Sequence, residues 1–142
     1  MTTYVVDASV AVKWYLPEVH SQQAATLLNP DNILWAPELI FAELGNVCWK
    51  RVQRKELDSQ QASMIVQDFL ASPLRIEGHA AVLEHAWRIA VEYGRSVYDS
   101  LYLALANQID APLVTADLRF YNALRYTTVG ERLMWVETLE ET

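Results

Sequence analysis

The sequence predicts a three-layer α/β/α fold, with a central parallel sheet covered by helices on both faces. Short runs with strong strand preference, such as Tyr4-Val5-Val6 and Leu113-Val114-Thr115, alternate with longer helix-patterned segments, and right-handed crossovers bring each strand back parallel to the last. No repeat, low-complexity run or flexible linker breaks that alternation, and 142 residues with 52% hydrophobic side chains suit one domain, 1–142. Two of the strand runs deliver an aspartate at their carboxyl ends, Asp7 and Asp117. Those ends open on one side of a parallel sheet, so acids far apart in sequence meet there.

In chain order, Val5 and Val6 lead into Asp7 and the small-residue turn Ala8-Ser9, where Ser9 is expected to cap a short helix through Tyr15 that Pro17 interrupts or follows. Ser21 opens a second short helix through Leu28, and Asn29-Pro30-Asp31-Asn32 is a turn by its chemistry. Ile33-Leu34-Trp35-Ala36 is the next strand. Pro37 fits the first position of a long helix to about Lys55, with Leu39, Ile40, Val47 and Cys48 on its apolar stripe. Asp58-Ser59-Gln60-Gln61 has the capping-box pattern and starts a helix that Ser72-Pro73 closes. Leu74-Arg75-Ile76-Glu77 is a short strand, and a helix from Ala80 to about Tyr93 ends at Gly94, a left-handed cap. Ser96-Val97-Tyr98-Asp99 opens a helix to Ile109 that is apolar on nearly every side, which predicts burial. Leu113-Val114-Thr115 and Leu133-Met134-Trp135-Val136 are the last strands, and the acidic end Glu140-Glu141-Thr142 is expected to fray.

Lys+Arg 11 against Asp+Glu 18 gives a net charge of −7, which argues against holding nucleic acid by bulk positive charge but leaves room for a site where a divalent cation supplies it. The single Cys48 reads as a small buried apolar residue and suits a reducing compartment. No secretory signal or membrane-length apolar run is present, so the expected location is the cytoplasm.

Singly, Asp7 and Asp117 read as turn or helix-capping residues; two such endings in one sheet weaken that reading. Glu43 is the most telling acid. Leu39 and Ile40 lie one turn before it, and Asn46 and Val47 one turn after, so it sits on or beside the apolar stripe, where it either meets a buried Arg or shares a metal. Glu38, in the first turn, is explained by the helix N-terminus. Asn46 either orients Glu43 or a bound water, or is a polar boundary residue. Asp99 completes the capping pattern from Ser96 and can bind a cation from the same place. Thr115 and Ser9 can lend hydroxyls to Asp117 and Asp7. Four converging carboxylates without matching bases raise one another's pKa, and divalent cations relieve that repulsion. An oxygen-only ligand set selects Mg²⁺ or Mn²⁺ over zinc.

Lys13, near the expected site, is the better phosphate candidate. Lys50, Arg51, Arg54 and Lys55 read as a solvated helix end. Trp14 and Trp49 either stack on bases or face a partner, Trp35 and Trp135 belong to strand core, and His20, His79 and His85 have no ligand or catalytic spacing.

Asp7-Ala8-Ser9-Val10-Ala11-Val12-Lys13-Trp14, Glu43 with Asn46, Tyr98-Asp99-Ser100-Leu101-Tyr102-Leu103-Ala104 and Thr115-Ala116-Asp117 together resemble PIN-domain ribonucleases, especially VapC-like toxins of toxin–antitoxin pairs. The resemblance spans nearly the whole chain, in order and spacing. It implies a sheet of about five parallel strands, Mg²⁺- or Mn²⁺-dependent endonucleolytic cleavage of RNA, an antitoxin that blocks the site, and a homodimer. By that pattern Asp7, Glu43, Asp99 and Asp117 form the catalytic, metal-binding quartet, with Asn46 and Thr115 in support. A receiver-type signalling domain and an Asp-nucleophile phosphatase fit less well, because the adjacent acids of the first and the second acid two residues after Asp7 of the other are missing. An RNA-processing nuclease that is not a toxin, and a non-catalytic binding module on the same fold, stay open.

Overall fold

The computed structural model describes residues 1–139, so the expected fraying at 140–142 lies outside the described residues. Strands β1 (Thr3–Val6), β2 (Ile33–Pro37), β3 (Arg75–Glu77), β4 (Leu113–Thr115) and β5 (Leu133–Trp135) form one parallel sheet, in the order β3-β2-β1-β4-β5. The helices are α1 (Ala8–Ala11), α2 (Ser21–Thr26), α3 (Leu39–Gln53), α4 (Ser59–Leu70), α5 (His79–Tyr93), α6 (Val97–Ile109) and α7 (Leu118–Leu124), with 3-10 turns at Val12–Trp14, Val129–Arg132 and Val136–Thr138.

β1 is central because its apolar pair is buried on both faces: Val5 and Val6 have no exposed surface, nor do their partners in register, Leu113 and Val114. After β1 the chain builds outward to β2 and β3 on one side, then crosses over to β4 and β5 on the other. The reversal opens a crevice at the carboxyl ends of β1 and β4. α6 lies between α5 and strands β1 and β2, and the seven residues Ser100 to Ala106 are all buried. Its small side chains Ser100, Ala104 and Ala106 suit that close packing, as the all-round apolar pattern predicts.

Several local expectations need correction. The cap of α1 is Asp7, whose side chain accepts from the Val10 N–H, and not Ser9; the α-helix stops at Ala11 and tightens into the 3-10 turn. Pro37 is the last residue of β2, and α3 starts at Leu39. Proline lacks a ladder donor and is tolerated where a strand ends; the next N–H, of Glu38, donates to Glu77 O at 3.0 Å. His79, partly exposed, accepts from the Leu39 N–H through its Nε2 at 2.9 Å at the start of α3. No helix was expected at α7, because seven residues are too few for a clear period.

The capping box at Asp58 is complete, with Gln61 N–H donating to Asp58 at 2.8 Å and Asp58 N–H to the Gln61 side chain at 3.0 Å. Asp58→Ala is expected to cost about 1 kcal/mol by urea unfolding, because the Gln61 N–H loses its partner while the backbone N–H at position 58 keeps the Gln61 side chain.

Candidate active site

Asp7, Glu43, Asp99 and Asp117 line one pocket of about 100 Å³, together with Ala8, Ser9, Tyr102 and Phe120. That is a scale that suits a hydrated ion or a phosphate group.

Local structure explains why each acid is there. Asp7 and Asp117 follow strands β1 and β4 and cap helices α1 and α7; Asp7 Oδ1 accepts from Val10 N–H and Asp117 Oδ1 from Phe120 N–H, both at 3.2 Å. Ser9 ties the two strand ends together, since its hydroxyl donates to Asp7 Oδ1 at 2.6 Å and accepts from Ala116 N–H at 2.9 Å. Thr115 Oγ1 accepts from Asp117 N–H at 3.1 Å. Asp99 sits in the first turn of α6. Its N–H donates to Ser96 Oγ at 3.1 Å, but its carboxylate does not reach back to complete a box; Oδ2 takes the Arg95 guanidinium at 2.9 Å instead. Glu43 comes from α3 and meets no arginine: its Oε1 accepts from the Tyr102 hydroxyl at 2.5 Å.

Each carboxylate therefore has one oxygen tethered. The second oxygens of Glu43, Asp99 and Asp117 make no hydrogen bond among the described residues. Nor does any basic side chain among them pair with Asp7, Glu43 or Asp117. Burial pushes the Asp7 carboxyl up to about 6, against the opposing hydrogen bonds from Ser9, Thr115 and the Val10 N–H, with the nearby Glu43 adding to the rise. Burial likewise raises Glu43; the Tyr102 bond opposes that and the Asp99 charge reinforces it. Burial and Glu43 push the Tyr102 hydroxyl well above its usual range, so it remains a neutral donor.

Three other predicted site residues, Thr115, Lys13 and Asn46, do not line the pocket; Thr115 reaches it only through its bond to the Asp117 N–H. Lys13 is mostly buried and its amine is held by Glu18 Oε1 at 3.1 Å, while Arg51 takes the other oxygen of Glu18 at 2.6 Å. Asn46 is exposed on α3, one turn beyond Glu43. Tyr102 and Phe120 were not foreseen as pocket residues. The available signal for Tyr102 was its position one turn after Asp99 on the same helix face; Phe120 offered none.

The donor set fits a hard cation: oxygen ligands only, two acids raised by burial, and uncompensated charge. Among the described residues no three His, Cys, Asp or Glu side chains converge as the direct shell of one ion. A larger cavity of about 520 Å³ lies at His85, Tyr93, Asn107 and Arg132. Arg132 is already engaged there by Asp110 at 2.7 Å and Asn107 at 3.0 Å.

A five-stranded parallel sheet between helices, with an acidic pocket at its switch point, defines the class: a three-layer α/β/α protein. The chain belongs to the PIN-domain family, in its VapC group: the family model described as PIN domain matches residues 4–125. It is 34% identical over 115 residues to Ribonuclease VapC3 of Pyrobaculum aerophilum, covering 80% of this chain and 88% of that protein. The crystal structure of PAE2754 from Pyrobaculum aerophilum superposes with a TM-score of 0.73 at 25% identity, over 97% of this chain and 86% of that one. VapBC2 from Rickettsia felis, solved bound to a DNA fragment from its promoter, shares the fold with a TM-score of 0.62 at 16% identity, over 94% of this chain and 97% of that one.

Proposed function

We propose that the protein is a divalent-metal-dependent endoribonuclease, the toxin of a toxin–antitoxin pair, with Asp7, Glu43, Asp99 and Asp117 as its catalytic, metal-binding acids. The observation that carries this reading is the gathering of four carboxylates, from four separate segments, into one small pocket where three of them have no basic partner. Mg²⁺ or Mn²⁺ bound there supplies polarisation of a phosphodiester and a lowered pKa for an attacking water. The chain's own groups provide the preorganisation. Ser9 and the Val10 amide hold Asp7, Tyr102 holds Glu43, and the Phe120 amide holds Asp117, leaving the second oxygens of Glu43 and Asp117 to face a cation or its waters. Thr115 supports the Asp117 backbone. The burial that raises Asp7 and Glu43 also strengthens their attraction for a cation.

RNA as substrate is supported by the kinship to Ribonuclease VapC3, and an antitoxin partner by the VapBC2 complex. A homodimer belongs to the same proposal on family resemblance. Purified protein given single-stranded RNA with Mg²⁺ or Mn²⁺ is expected to cut internally; excess EDTA should lower the rate by about 10²-fold or more, and Mn²⁺ added back should restore it. RNA bound but never cut under these conditions favours the non-catalytic binding module, and cutting indifferent to EDTA removes the metal from the reading.

A further inference from the structure

We propose that Arg95 is an exchangeable counter-cation of the acidic pocket: it holds Asp99 until a divalent cation takes that carboxylate, and its guanidinium then holds a non-bridging oxygen of the RNA phosphate. The proposal rests on the nuclease reading above and adds the residue that grips the substrate.

Three observations meet at this side chain. It is held at the pocket rim by one pocket acid and one pocket aromatic: a guanidinium nitrogen is 2.9 Å from Asp99 Oδ2, and its central carbon is 5.4 Å from the centre of the Phe120 ring. Among the described residues it is also the one cation paired with any of the four acids, since Lys13 and Arg51 are held by Glu18 and Arg132 by Asp110. Finally, its Nε–H is buried with no acceptor. A buried donor without a partner is costly, and native structures leave few of them. The Asp99 bond uses one terminal nitrogen, and a guanidinium fork with an unsatisfied Nε–H matches the two oxygens of a phosphate. The side chain as a whole is 27% exposed, so an incoming strand meets its terminal nitrogens, and the buried Nε–H becomes available only as the guanidinium leaves Asp99.

An ordinary partly exposed ion pair one helical turn apart would have little influence on anything but local stability. Exchange predicts more, with opposite signs for the two ligands. Calorimetric titration with Mn²⁺, without RNA, is compared for wild type, Arg95→Gln, which keeps the stem packed on Phe120, and Arg95→Lys; thermal unfolding confirms that each is folded. Arg95→Gln is expected to bind Mn²⁺ about 3- to 10-fold more tightly, because a unit positive charge beside Asp99 has gone. In saturating Mn²⁺ its KM for single-stranded RNA is expected to rise about tenfold, with a smaller change in kcat. Arg95→Lys should keep the weaker Mn²⁺ affinity and still raise KM, because a point charge lacks the fork. Mn²⁺ affinity unchanged within about twofold or weakened in Arg95→Gln, or an unaltered KM, overturns the Arg95 assignment while the nuclease reading stands. A wild type that binds no Mn²⁺ overturns both at the first measurement.

Discussion

Asp99→Asn is expected to abolish metal-dependent RNA cleavage while the protein stays folded. The loss should be on the order of 10³-fold in kcat/KM, about 4 kcal/mol of transition-state stabilisation, because a pocket carboxylate that neutralises a cation becomes an amide that cannot. Structure gives little reason for collapse. The Asp99 N–H, not its carboxylate, makes the bond to Ser96, and the ion pair it would lose to Arg95 is at the surface, with the Asp99 side chain 41% exposed. Cleavage of a defined single-stranded RNA by nuclease-free preparations, with circular dichroism and thermal unfolding in parallel, checks both halves. Undiminished cleavage by the folded variant would defeat the assignment of the pocket.

The second large effect has the opposite sign for stability. In chelator at neutral pH, Asp7→Asn is expected to stabilise the protein by about 1–3 kcal/mol. Asp7 is buried, and its pKa rises from 3.8 to about 6. Between those values the folded state binds more protons than the unfolded chain, so stability falls as pH climbs through the window, and the full penalty applies above about 6. Asparagine carries no charge to desolvate and keeps an oxygen for the Val10 N–H and the Ser9 hydroxyl, so the cap survives. The gain should therefore shrink toward zero near pH 4, close to the lower of the two values. In saturating Mn²⁺ the order should reverse, because the wild type gains binding free energy that the variant lacks. Urea unfolding of both proteins across this pH range, with and without metal, tests the claim. A loss of more than about 1 kcal/mol in chelator would mean that the charge serves the helix cap and not a cation.

The two experiments separate roles that one carboxylate can combine. Three of the four acids sit at helix starts, two as caps and Asp99 in the first turn. Capping N–H groups and helix N-termini reduce the cost of crowding the acids together, so the structural and functional readings are compatible. Glu43 has no such help. It depends on the Tyr102 hydroxyl, a contact made across 59 positions of sequence.

Much of this was legible before any coordinates, for identifiable reasons. The alternation of strand and helix runs, the capping box at Asp58, the left-handed stop at Gly94 and the burial of α6 depend on neighbours within one or two helical turns, which sequence displays directly. Asp7 and Asp117 were recognisable because parallel strands must end on a common edge, and Glu43 because an acid does not belong beside an apolar stripe without cause. The helix α7 is too short to show a period, Pro37 at the end of β2 imitates a helix start, and the cap of α1 lies two residues before Ser9, because Asp7 and Ser9 are both competent acceptors.

Sequence by itself determined the layered α/β/α class and that Asp7 and Asp117 end on one edge of the sheet, because periodicity and strand direction are properties of the chain. Which polar groups the acids actually touch was decided only by tertiary structure. Lys13 went to Glu18, Glu43 went to Tyr102, and Asp99 went to Arg95. A hydrogen bond or ion pair requires two atoms within about 3 Å, and no spacing along the chain specifies that for side chains carried by different elements.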